Sequence, residues 1–63
     1  MKAGDLVRTR GSGTLGIVLE KHEEKGAITT FSVELSQHFY NRSRWQFAKN
    51  ELQLISASEV VNV

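Results

Sequence analysis

The stretch Thr29-Thr30-Phe31-Ser32-Val33-Glu34-Leu35-Ser36 alternates apolar and polar without a break. On an extended chain, neighbouring side chains point to opposite faces. Phe31, Val33 and Leu35 then share one face, and Thr30, Ser32 and Glu34 the other. A helix would turn Val33 away from Phe31 and Leu35 and destroy this segregation. The stretch therefore reads as a strand half-buried in an antiparallel sheet. Its register is strongly specified, because a slip of one residue would move all three apolar side chains into water.

The rest of the chain offers partners of the same kind. Leu6-Val7-Arg8-Thr9-Arg10 follows Gly4-Asp5 and reads as a first strand. Gly11-Ser12-Gly13 is a flexible break. Thr14 to Glu20 is β-branched and apolar on both faces and reads as a second strand. A helix over Leu15–Lys25 is opposed by Gly16, Ile17 and Val18. Gly16 permits a bend or a close backbone approach. Lys21 to Gly26 reads as a polar turn, and Gln37 to Arg44 as a polar loop of about eight residues, a length at which loops tend to carry function. Trp45-Gln46-Phe47-Ala48 alternates again. Lys49-Asn50-Glu51 suits a single 3₁₀ turn, and Leu52-Gln53-Leu54-Ile55 a fifth strand. The expected core is Val7, Val18, Phe31, Val33, Leu35, Phe47 and Leu52.

With 63 residues, the chain has room for one domain with a small core. It has no cysteine, so neither a disulfide nor a thiolate metal site supplements that core. This fits a reducing compartment. No apolar run reaches membrane-spanning length, and the N-terminal residues form no apolar signal segment. Eight Lys+Arg against seven Asp+Glu leave a net charge of +1, which excludes the strong overall field of a DNA-coating protein. Short strands spaced about ten residues apart suggest an all-β, five-stranded barrel over residues 1–56. Residues 57–63 read as a C-terminal tail or edge strand, with Val60, Val61 and Val63 as its apolar members.

Gly4-Asp5-Leu6-Val7-Arg8 followed by Gly13-Thr14-Leu15-Gly16-Ile17-Val18 resembles the opening of SH3-like barrels, including the KOW modules of ribosomal and transcription proteins. The ending Phe47 to Ile55 is similar to theirs, where a 3₁₀ step precedes the last strand. Phe47, Ala48, Glu51 and Leu52 also resemble the end of photosystem I reaction-centre subunit IV. The first loop departs from that family, with the short Arg10-Gly11-Ser12-Gly13 in place of a longer segment. Small SH3-like proteins of tailed phages, including phages of marine cyanobacteria, look similar too. The resemblance implies an SH3-like barrel that binds a partner and needs no cofactor. It implies a cytoplasmic location (the host's, for a phage protein) or the stromal or cytoplasmic face of the thylakoid for a photosystem subunit. One barrel hosts many roles, so the implied function is broad.

The candidate binding residues are Arg8, Arg10, Tyr40, Arg42, Arg44 and Trp45. Aromatics interleaved with arginine can stack bases and neutralise phosphate, or form the centre of a protein interface. The plainer alternative is that Trp45 and Phe47 are core and the arginines are solvated. A protein partner is the leading expectation, and nucleic acid the second. His22, Glu23, Glu24 and His38 lack a metal-site spacing, so no metal is expected. No nucleophile motif or phosphate loop points to catalysis. Ile17 and Leu19 lie opposite the core-facing residues of their strand. They leave two outcomes open, packing under the tail valines or a contact between two copies.

Overall fold

The structure, a computed structural model, describes residues 1–58. It is all-β, with the strands β1 (Leu6–Thr9), β2 (Leu15–His22), β3 (Thr30–Phe39), β4 (Arg42–Ala48) and β5 (Leu52–Ser56), and a 3₁₀ turn at Lys49–Glu51 before β5. All five lie in one antiparallel sheet in the order β4-β3-β2-β1-β5. The expected barrel is not closed by hydrogen bonds among the described residues, because β4 and β5 are the two free edges. The expected tail valines Val60, Val61 and Val63 lie outside the described residues.

One sheet must bury its apolar face against something, and among the described residues there is no second layer. The sheet curls on itself instead. Val7, Val18, Phe31, Val33, Leu35 and Leu52, drawn from four strands, meet in a single buried cluster. The curl coincides with three irregularities. Leu19 is an extra residue on β2 between the pairs Val18–Val33 and Glu20–Ser32. Ile55 is an extra residue on β5 between Leu6–Ser56 and Val7–Leu54. On β3, five steps from Glu34 to Phe39 face two steps from Arg44 to Arg42, so three residues are extra. Bulges of this kind bend a strand and increase its twist.

Six of the seven expected core residues are buried; the exception, Phe47, is half-buried and rests against the cluster. It pairs with Phe31 and so faces inward, but among the described residues β4 is an edge with no strand beyond to cover it. At Gly16 the expected close approach is present. A β-carbon there would stand 2.6 Å from Val33 Cγ1, 2.9 Å from the Glu34 carbonyl oxygen and 3.0 Å from Leu35 Cδ2.

Three turns differ from expectation. The polar turn read over Lys21–Gly26 starts later, because Lys21 and His22 belong to β2 and pair with Phe31 and Thr30. The break at Gly11-Ser12-Gly13 is held by hydroxyls: Thr9 Oγ1 lies 2.6 Å from Ser12 Oγ, which lies 2.9 Å from Thr14 Oγ1. Thr9 Oγ1 also accepts the Thr14 N–H at 3.0 Å, so the buried threonines have partners. The expected loop over Gln37–Arg44 is mostly strand. Only Tyr40 and Asn41 lie between β3 and β4, with φ of 52° and 66°. Left-handed backbone at both central residues is what a type I′ hairpin turn requires.

Asp5 ties the ends of the described chain together. Its carboxylate is 2% exposed and accepts the backbone N–H of Ser58 at 2.7 Å and of Lys2 at 2.8 Å. Those two donors, Ser58 first, hold its pKa below the ordinary 3.8, and Lys2 adds its charge. A depressed carboxylate stabilises the fold above its unfolded pKa, and this is lost as pH falls through the folded value. Glu34 and Glu23 are lowered too and share the acid slope. Thermal melts from pH 6 downward should therefore show a midpoint that begins to fall near the ordinary carboxylate values of 4.5 and 3.8 and falls further below them. Asp5→Asn should melt lower near neutrality and lose part of that slope. An acid slope identical to wild type would remove Asp5 from this role.

Candidate binding site

Alternation along β4 puts Trp45 and Phe47 opposite Val33 and Phe31, on the inner side of the sheet. Both rings are half-buried. The extra residues of β3 and the tight turn bring Phe39 and Tyr40 to the same end. Leu35, Phe39, Tyr40, Trp45 and Phe47, with Ser12 across from them, line an open groove of ≈ 230 Å³. Its wall is almost wholly apolar, and four of its side chains are aromatic.

The aromatic end has definite internal geometry. Tyr40 meets Trp45 edge to face, with centroids 6.2 Å apart and an interplanar angle of 63°. The Arg42 guanidinium sits 3.9 Å above the Trp45 ring, within cation–π range. The Trp45 indole N–H donates to the Arg42 carbonyl at 3.0 Å, which fixes the ring against the turn. Arg42 has no carboxylate partner among the described residues. Tyr40 is 93% exposed although its backbone is left-handed, a conformation that a side chain of this size seldom adopts.

Of the six candidate residues, Tyr40, Arg42 and Trp45 come together, and the other three do not join them. Arg44 projects from the outer face of β4 and pairs with Glu34, Nε to Oε2 at 3.4 Å. The Ser43 hydroxyl also donates to Glu34, and this bond, with Arg44 behind it, holds the Glu34 carboxyl below its usual range. Arg8 lies exposed on the outer face opposite Leu15 and Gln53. Arg10 lies past the end of β1 and rims a separate hollow with Met1, Lys49, Asn50, Leu52 and Leu54. The expected convergence of Arg8 and Arg10 with Arg42 and Arg44 into one basic patch is thus not made, because strand alternation and the ends of β1 send them different ways.

Sequence reading missed Leu35, Phe47 and Ser12 as groove residues. The Trp45–Phe47 alternation did signal that these two rings share a face. Leu35 and Ser12 had no such signal, since they reach the groove only through the sheet's curl. On the outer face, Ile17 is 41% exposed and Leu15 is exposed beside it, while Leu19 is half-buried. His22 Nε2 lies 2.7 Å from Ser32 Oγ and 3.6 Å from the Glu20 carboxylate. Among the described residues no three His, Asp or Glu side chains converge, and no helix is long and apolar enough to cross a membrane. No family model, no curated protein and no solved structure matches this chain.

Proposed function

We propose that this protein is a non-catalytic adaptor of the SH3-like barrel type, whose aromatic groove receives a segment of a protein partner. The strand order β4-β3-β2-β1-β5, with a 3₁₀ turn before the last strand, supports the SH3-like assignment. The observation that carries the binding role is the open apolar groove walled by Phe39, Tyr40, Trp45 and Phe47. Aromatic and arginine side chains are the residue types most enriched at binding hot spots. Tyr40 strengthens the case, since folding alone gives no reason to hold a large exposed ring on a left-handed backbone. Docking of the kind implied by photosystem I subunit IV is one form this adaptor role takes.

The Arg42–Trp45 stack also supports a second reading, single-stranded nucleic acid with bases on Tyr40 and Trp45. The dispersal of Arg8, Arg10 and Arg44 makes it the weaker one, since a backbone-tracking groove needs several cations in line.

The test is a double substitution, Tyr40→Ala with Arg42→Ala. Both side chains are exposed, so the melting temperature should stay within a few degrees of wild type. Capture of the partner from native lysate should be lost, while Arg44→Ala retains it. Equal capture by the double variant would exclude the groove. Titration with single-stranded RNA and DNA over a salt series decides the second reading, because phosphate contacts make affinity fall steeply with salt.

A further inference from the structure

The two arginines of β4 have different surroundings. Arg44, on the outer face, has its charge met by the Glu34 carboxylate at 3.4 Å. Arg42 stands 3.9 Å over the Trp45 ring. Among the described residues, its guanidinium has neither a carboxylate nor any other hydrogen-bond acceptor. Stacking uses the flat face of a guanidinium and leaves the N–H groups in its plane free to donate. The indole N–H returns to the carbonyl of the same residue, so ring and guanidinium are held from one point in the chain. A fork of donors thus stands beside the aromatic end of the groove. None of the lining residues Ser12, Leu35, Phe39, Tyr40, Trp45 and Phe47 is charged, so nothing in the wall competes for it.

We propose that the groove takes an extended protein segment in which an Asp or Glu lies next to apolar residues: the apolar side chains enter the groove, and the carboxylate accepts in-plane hydrogen bonds from the Arg42 guanidinium. This rests on the groove being a binding site and adds the chemistry of its partner. Size restricts the occupant first. At ≈ 230 Å³ the groove is smaller than the roughly 300–1,000 Å³ of sites that enclose small molecules, which suits a few side chains of a passing chain. Charge restricts it next. One guanidinium matches one carboxylate, to which it can donate two parallel hydrogen bonds. Phosphate-bearing segments are held by clusters of arginines, and Arg8, Arg10 and Arg44 lie elsewhere. A chain-terminal carboxylate is captured by successive backbone N–H groups, whereas this wall is almost wholly apolar. An acidic side chain within a segment fits all three restrictions.

Selection of a random peptide library on the immobilised full chain tests this. The recovered peptides should be enriched in Asp or Glu beside large apolar residues. One of them, and its copy with the acid changed to the amide, are then titrated calorimetrically against wild type and Arg42→Gln. The amide should weaken binding to wild type about fivefold, the upper end for an exposed ion pair. It should leave binding to Arg42→Gln unchanged, since such a cycle isolates the pair. Peptides without acidic enrichment, or an equal loss in both proteins, would overturn the carboxylate assignment and leave the groove in place. Equal binding of the peptide to wild type and to Tyr40→Ala with Arg42→Ala would remove the groove itself. Recovery of no peptide, with oligothymidylate binding that falls steeply with salt, would overturn both in favour of nucleic acid.

Discussion

Valine in place of Gly16 should leave the chain largely unfolded at room temperature. Gly16 sits between Val7 on β1 and Leu35 on β3, in the middle of the sheet. The first atom of any side chain there falls within 3.0 Å of Val33, the Glu34 carbonyl and Leu35. Two of these cannot yield easily. Val33 is β-branched and buried, with little rotamer freedom. The Glu34 carbonyl belongs to the strand backbone, so relief requires β2 and β3 to part. Overpacking ordinarily costs about 1–3 kcal/mol, and a contact against backbone belongs at or above the top of that range. At about 0.05–0.15 kcal/mol per residue, 63 residues have only about 3–9 kcal/mol in total. Gly16→Ala should fail in the same direction, since the β-carbon itself clashes. Gly11→Ala is the control, because a β-carbon there meets nothing within 4 Å. Circular dichroism melts of the three variants check this; a wild-type midpoint for Gly16→Val would show that the strands are not as close as described.

Truncating Phe31 to alanine should be nearly as severe. Phe31 is the largest of the fully buried side chains and sits at the centre of the cluster, with Phe47 opposite it on the edge strand. Phe→Ala in a core costs about 3–5 kcal/mol, most of the stability such a chain has. Phe31→Leu keeps much of the volume and should cost under about 1.5 kcal/mol. Urea titrations followed by Trp45 fluorescence separate the two. The alanine variant should also disturb that signal in the native baseline, because the groove floor and the core are the same layer of side chains. A cost below about 1 kcal/mol for Phe31→Ala would contradict the central place given to this ring.

The fold was readable where period-two alternation ran unbroken. Residues 30–35 gave both the strand and its buried face, and the Gly16 approach followed from a glycine inside an apolar strand. The alternation was invisible over Gln37–Arg44 for two physical reasons. Three extra residues on β3 break the period, and the turn is made by Tyr40-Asn41 with no glycine to announce it. Apart from Asn41 in the turn, the polar residues there, which looked like a loop, are strand residues. The same hairpin explains how much of the site was legible. Tyr40, Arg42 and Trp45 are close in sequence and stay close in space. Arg44 is just as close in sequence but points the other way once its segment is a strand. Arg8 and Arg10 could be joined to the others only by knowing how far the sheet curls, which local pattern does not encode.

The pairing of β1 with β5 sets the order in which this molecule can be completed. Asp5 and Ser58 are bonded across 53 positions, and Leu6 lies beside Ser56. During synthesis β1 is made first, and its second neighbour is the last of the five strands to appear. Until then the nascent meander β1–β4 lacks Leu52, which belongs to the central cluster, and exposes both flanks of its hydrophobic face. Closing so long a loop is an entropic cost met before the contacts that offset it form. Such topologies fold slowly for their size. The native state is thus out of reach until β5 has been made, and a chaperone or a partner has its opportunity in that interval.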